Sequence, residues 1–189
     1  MIKKMAESVK QPLSYSRVTK ILSSVGGKIT IPTTSSYIEY CEDAWLLLRL
    51  HNINAAFAER ETNSKYYFID NGLLSLLLTD PTTTLLENIV AVSLFRKYGN
   101  SNDGERVFFY KQNVEVDFYI PDDELATQVS YSTEESDMTE KREVEALKKL
   151  PKALSCKRRL IITYDEEKTI EDEYGVIEVI PCWKWLISR

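Results

Sequence analysis

The chain has 189 residues, of which 43% are hydrophobic and 28% charged, and a net charge of −5. That length makes one domain or two small ones with an apolar core, and it excludes a disordered tail, a collagen-like chain and a disulfide-stapled miniprotein. One histidine and three scattered cysteines (Cys41, Cys156, Cys182) argue against a zinc site, a Ser–His triad or a Cys–His dyad, and the thiols read as buried groups in a reducing compartment.

No apolar run approaches the roughly 20 residues of a membrane span. The segment Met1-Ile-Lys-Lys-Met-Ala-Glu lacks the apolar core of a signal peptide, so the expected location is cytoplasmic, with no membrane partner. Residues 1–75 hold 9 Lys/Arg against 7 Asp/Glu, and residues 76–189 hold 15 against 22. Any nucleic-acid contact therefore belongs to the first part.

Val18, Ile21, Leu22 and Val25 recur at helical spacing and predict a helix over 13–25. Ser14 or Ser16 would cap it, and Gly26-Gly27 would end it. Lys28–Pro32 reads as extended. A second helix opens at Thr33-Thr34-Ser35-Ser36, with Ile38, Cys41, Trp45 and Leu48 as its apolar stripe. Two strands follow, over 55–58 and 65–69, with 61–64 as the polar tip between them and His51 on the surface or wing. Helix, turn, helix and hairpin is the order of a winged helix-turn-helix.

Asp70-Asn71-Gly72 breaks the pattern, and the domain boundary falls between about 70 and 84, giving domains 1–75 and 76–189. From Thr84 a helix apolar on most sides begins, interrupted by Glu87. A polar loop over 99–104 leads to strands over 107–111, 114–120 and 125–131. A helix over 138–150 follows, with Asp137 and Glu140 spaced as a capping box and Pro151 at its end. A strand over 159–164, an acidic loop over 165–173, a strand over 175–180 and a short helix from Pro181 complete the chain. Trp45, Trp183 and Trp185 read as core or interface anchors. The second part is α-β-β-β-α-β-β-α, a mixed sheet flanked by helices, so the expected fold class is α/β.

Period-2 alternation puts Glu115, Asp117 and Tyr119 on one face of their strand and Val114, Val116, Phe118 and Ile120 on the other. A four-residue turn at Pro121–Glu124 would pair Ile120 with Leu125. Asp117 would then stand opposite Gln128, and Glu115 opposite Ser130.

A carboxylate on a leading helix (Glu87), an Asp late in one strand (Asp117) and a pair on the next strand (Gln128, Ser130) resemble the PD-(D/E)XK nuclease-like layout. In active members, the Asp and the acidic residue of the pair hold Mg²⁺, and a Lys two residues on positions the attacking water. More narrowly, Lys65-Tyr-Tyr-Phe-Ile-Asp-Asn-Gly-Leu73, Glu87-Asn88 and Glu115-Val-Asp-Phe118 resemble the C-terminal region of bacterial and archaeal AAA-type ATPases of unknown function, over about residues 13–189.

The resemblance implies a winged helix followed by a PD-(D/E)XK-like mixed sheet, with ATP bound only by an N-terminal ATPase domain outside this chain. Val25-Gly26-Gly27-Lys28 fails the phosphate-loop pattern. Where the family usually has Glu-Val-Lys, this chain has Gln128-Val129-Ser130. Lys111 could replace the missing Lys, but a two-residue turn would pair it with Val114 and point it to the apolar face.

The site therefore reads as degenerate. No residue is assigned as catalytic; Glu87, Asp117, Gln128 and Ser130 are vestigial, and Asp117 with Glu115 could hold Mg²⁺ only weakly. Nucleic-acid contacts are expected from Lys20, Lys28, Ser35, Ser36, Arg60 and Lys65, with Arg49 on the same rim and Thr34 at the same helix N-terminus. The expected partners are DNA, the ATPase domain of the same protein and a second copy. Three readings stand: a non-catalytic recognition module of an AAA-type ATPase, a protein-interaction module without nucleic-acid contact, and a metal-dependent nuclease with a relocated base.

Overall fold

The structure, a computed structural model, describes residues 1–99, 105–132 and 137–188. The chain is a mixed α/β protein that divides into two compact units, Met1–Val92 and Ser93–Arg189. Each is taken by itself.

The first unit runs α1 (Ile2–Ala6), β1 (Leu13–Ser14), α2 (Tyr15–Gly26), α3 (Ile31–Asp43), β2 (Leu47–Asn52), α4 (Phe57–Thr62), β3 (Asn63–Phe68) and α5 (Asn71–Leu77). It also takes in the first part of α6 (Thr82–Tyr98). Its strands lie in the order β1-β3-β2, antiparallel throughout. Ser14 caps α2 by accepting from the Arg17 N–H at 3.3 Å, and Gly27, at φ 91°, ends it. The core is built from Met5, Leu13, Val18, Ile38, Leu50 and Phe68.

Three expectations for this unit change. α3 begins at Ile31 behind the Thr30 cap, because Pro32 sits in the first turn, where its missing N–H is no loss. Residues 57–62 are helical, so the hairpin is formed by 47–52 and 63–68. A four-residue apolar run has no period that separates helix from strand. Leu47–Asn52 is thus a strand, which buries His51 rather than leaving it on a wing. It also takes Leu48 off the helix stripe, while Trp45, in the left-handed region at φ 56°, is 72% exposed.

The second unit continues α6 into β4 (Phe108–Lys111), β5 (Glu115–Ile120), β6 (Leu125–Val129), α7 (Asp137–Lys149), β7 (Arg158–Thr163), β8 (Lys168–Asp172), β9 (Gly175–Pro181) and α8 (Cys182–Ile187). The strand order is β4-β5-β6-β7-β9-β8. β4, β5 and β6 are an antiparallel meander. α7 carries the chain across to β7, which is parallel to β6 and to β9, and β8 closes antiparallel on β9. Phe109, Val116, Phe118, Ile161 and Ile177 fill the core, and Trp185 is buried while Trp183 is 59% exposed.

The four-residue turn is present: Ile120 pairs with Leu125 and Phe118 with Thr127. The expected acidic loop is in part the strand β8. Asp172 lies at its end and is gripped by both guanidinium nitrogens of Arg159, at 2.6 and 2.8 Å, with both side chains buried. The turn before β5 holds three residues instead of two, so Lys111 pairs with Glu115. The expected loop over 100–104 and the capping-box side chains of 137 and 140 lie outside the described residues.

Candidate functional site

In the second unit the β5/β6 ladder stops at Phe118↔Thr127, and side chains take over from there. The Gln128 amide accepts from the Asp117 N–H at 2.8 Å and donates to the Glu115 carbonyl at 2.8 Å. The Asp117 carboxylate accepts from the Val129 N–H at 3.1 Å. Three side chain–backbone bonds thus stitch the strands where their backbones part. Gln128 is buried, and its amide bonds the Asp117 N–H and the Glu115 carbonyl beyond the point where the ladder stops. The amide both donates and accepts there, whereas an ionised carboxylate would leave the Glu115 carbonyl without that donor.

The neighbours complete the electrostatics. Lys111 reaches Glu115 at 2.7 Å, on the face where Glu115 lies and not on the apolar one. The one-residue difference in the turn moves the side chain across the sheet. Arg142 on α7 bonds Glu143 at 2.5 Å. Its guanidinium is held charged first by Glu143 and then by the fields of Asp117 and Glu115. Ser130 is buried and donates its hydroxyl to the Ser132 carbonyl at 2.8 Å. Cys156 offers no ready thiolate, since burial pushes its thiol up to about 11. Among the described residues no group of three or more His, Cys, Asp or Glu is gathered as a metal site.

Glu87 lies in the first unit. It is 1% exposed and accepts from the Tyr67 hydroxyl at 2.8 Å. Lys10 stands 3.6 Å from it, and Lys65, itself fully buried, 4.0 Å. The next residue, Asn88, accepts from the Phe68 N–H at 2.8 Å and donates to the Phe68 carbonyl at 2.7 Å and to Asn71 at 2.8 Å.

Asp70 caps α5 through the Leu73 N–H at 2.9 Å, and Asn71 donates to the Leu85 carbonyl at 3.0 Å. A Cβ at Gly72 would meet the Asp70 carboxylate at 2.9 Å. The strings Tyr67-Phe68-Ile69-Asp70-Asn71-Gly72 and Glu87-Asn88 therefore form one clamp that fastens β3 to α6. The role of Asn88 belongs to the fold. The signal for it was there, because a buried amide inside a greasy helix needs a partner as much as Glu87 does.

Few of the expected nucleic-acid contacts remain open. Lys65 is buried, which removes it from any surface. Arg60 donates to the Ala55 carbonyl at 3.0 Å and the Ile53 carbonyl at 2.6 Å, holding the turn before its own helix. Arg49 is locked to Glu42 at 2.8 and 2.5 Å, with the rings of Tyr15 and Tyr66 at 5.9 and 5.8 Å. Burial opposes its charge, but Tyr66 and Glu42 outweigh that and raise its pKa.

Because α3 starts at Ile31, Thr34–Ser36 lie beyond its first turn, and the N–H of Thr34 already bonds the Thr30 carbonyl at 3.0 Å. Thr34 is buried against Thr19 at 2.8 Å, and Ser35 bonds Glu39 at 2.9 Å. Ser36 is half-buried, and Lys20 and Lys28 are exposed. The outer face of α3 presents Tyr37, Glu39, Tyr40 and Asp43.

Residues 1–84 match the family model described as a domain of unknown function (DUF8612). The chain is similar to the uncharacterized protein MJ1544 of Methanocaldococcus jannaschii, with 31% identity over 185 residues, covering 93% of this chain and 41% of that protein. The chain thus spans about two fifths of the length of the curated relative it matches. No solved structure matches it.

Proposed function

We propose that the chain is a non-catalytic accessory module of a longer AAA-type ATPase: a winged helix joined to a PD-(D/E)XK-like domain whose metal position has become a structural clasp. The element order α1-β1-α2-α3-β2-α4-β3 with sheet order β1-β3-β2 supports the first part. The order α6-β4-β5-β6-α7-β7, with three antiparallel strands and a parallel fourth, supports the second. Any ATP binding then belongs to the remainder of the longer protein.

The observation that carries the reading is the Gln128 amide bridging Glu115 and Asp117. Catalytic hydrolysis of a phosphodiester needs hard oxygen ligands free to take Mg²⁺. Here one candidate ligand is a neutral amide and the other bonds the Val129 N–H. The module acts through protein contacts made by the Tyr37–Tyr40 face of α3, where Glu39 and Asp43 would repel phosphate.

A second reading, DNA contact by the same unit, rests on the exposed Lys20 and Lys28. Plasmid incubated with the chain and Mg²⁺ or Mn²⁺ is expected to stay intact; cleavage abolished by Asp117→Ala would overturn the non-catalytic reading. A gel shift at low salt that weakens with added salt and disappears in Lys20→Ala/Lys28→Ala would replace protein contact with DNA contact.

A further inference from the structure

We infer that the outer face of α3, with the tryptophan that follows it, binds an arginine-bearing segment of a protein partner; this rests on the protein-contact reading and names the chemistry of that partner. The end of α3 is a Schellman turn. The Trp45 N–H donates to the Glu42 carbonyl at 2.9 Å, and the Leu46 N–H donates to the Cys41 carbonyl at 2.8 Å. Trp45 holds the left-handed position of that turn, at φ 56°, where glycine is the favoured residue. Its side chain stays largely exposed, so burial in this chain does not offset the backbone conformation.

The helix leading into this turn repeats the pattern. Tyr37, Tyr40 and Ala44 recur at helical spacing and are exposed, Tyr40 by 64%. Carboxylates flank these rings. Glu39 and Asp43 are both exposed and stand four apart, a like-charged pair on one stripe. Asp43 is the last helical residue and the last turn carries no base, so its charge meets the negative end of the helix dipole. The third acid of the segment, Glu42, is already engaged by Arg49.

Charge complementarity selects the occupant. Open aromatic rings among carboxylates, at a helix end that lacks a base, call for a cation with a flat face. Guanidinium stacks on an indole or phenol ring and bonds a carboxylate through its N–H edge; an ammonium answers the charge without the stacking. Glu39 and Asp43 repel phosphate, which disfavours a nucleic acid on this face. The attraction is local, because residues 1–75 hold 9 Lys/Arg against 7 Asp/Glu and do not draw cations as a whole. Trp, Tyr and Arg are also the residue types that dominate protein–protein contact energies.

NMR titration of the full chain tests the face, read at the indole signals of Trp45, Trp183 and Trp185. The probes are a short capped peptide alternating arginine and leucine, its lysine and glutamate counterparts, and a DNA duplex. The arginine peptide is expected to shift Trp45 and leave Trp183 and Trp185 in place, with the lysine peptide weaker by about threefold and the glutamate peptide inert. Affinities of the variants are read by fluorescence anisotropy of the labelled arginine peptide. Trp45→Gly is expected to weaken binding about tenfold while raising the urea midpoint, so that lost binding is not lost folding. Glu39→Gln with Asp43→Asn is expected to weaken it about tenfold and flatten its salt dependence. No shift at Trp45, equal shifts at all three indoles, undiminished binding by Trp45→Gly, or a Trp45 signal that moves on dilution of the chain alone, the mark of a second copy, overturns the inference. Binding of the glutamate peptide at Trp45 overturns the arginine partner and keeps the protein-contact reading; binding of the duplex with no peptide binding overturns both.

Discussion

In the first unit the amide of Asn88 spans the N–H and C=O of Phe68; in the second the amide of Gln128 spans the C=O of Glu115 and the N–H of Asp117. Both lay a side-chain amide across a backbone N–H and C=O of a strand, because an amide both donates and accepts as a peptide group does. The carboxylates beside them differ. Glu87 is enclosed and faces a tyrosine hydroxyl and two ammonium groups, whereas Asp117 accepts from a backbone N–H. An acid is thus satisfied here either by gathering cations or by standing in for a strand.

The largest effect is expected from Asn88→Leu. It strips partners from the buried N–H and C=O of Phe68 together and should cost about 3–5 kcal/mol, read as a lowered urea midpoint. Asn88→Asp restores the acceptor alone and should fall between. If Asn88→Leu unfolds like the native chain, the two amides are not equivalent.

Gln128→Glu comes next, at about 2 kcal/mol near neutral pH, because it removes the donor to Glu115 and sets a carboxylate beside Asp117. Burial and that neighbour raise the new acid's folded pKa. Its protonated form therefore keeps full stability below about pH 4, and stability is lost as pH rises through the raised value. Mg²⁺ should recover part of the loss at neutral pH in this variant and not in the native chain. A flat pH response would mean that residue 128 is not enclosed as described.

The smallest effect concerns Asp172, an acid held by both guanidinium nitrogens of Arg159. The hydrogen bonds from Arg159 hold its carboxyl below the usual carboxylate range. Its contribution is complete above about pH 4 and is lost as pH falls through the depressed value. Arg159→Met should flatten that acid limb of the stability curve, measured by urea unfolding at stepped pH.

Much of this was legible in the residues. Alternation over 114–120 and a four-residue turn at Pro121–Glu124 were enough to pair Ile120 with Leu125, because a period of two leaves few registers that bury one face. The Ser14 cap and the Gly27 stop of α2 follow from local chemistry. Other features were not legible. Lys65 looks like a surface cation, and its burial becomes sensible only when Glu87, 22 residues on, arrives beside it. The strand β8 was hidden because its acids read as solvated loop, although Asp172 answers Arg159 from the far side of a strand and a turn.

The sequence by itself determined the alternation over 114–120, the cap and stop of α2, and that Ser130 and not Lys stands two residues after Gln128, since these depend on neighbours within a few residues. The tertiary structure alone decided that Gln128 and Asp117 bond to backbone, that Lys111 turns toward Glu115, and that Arg49 and Arg60 are held internally. A hydrogen bond or ion pair joins groups brought together by the fold, and composition cannot say which buried donor will meet which acceptor.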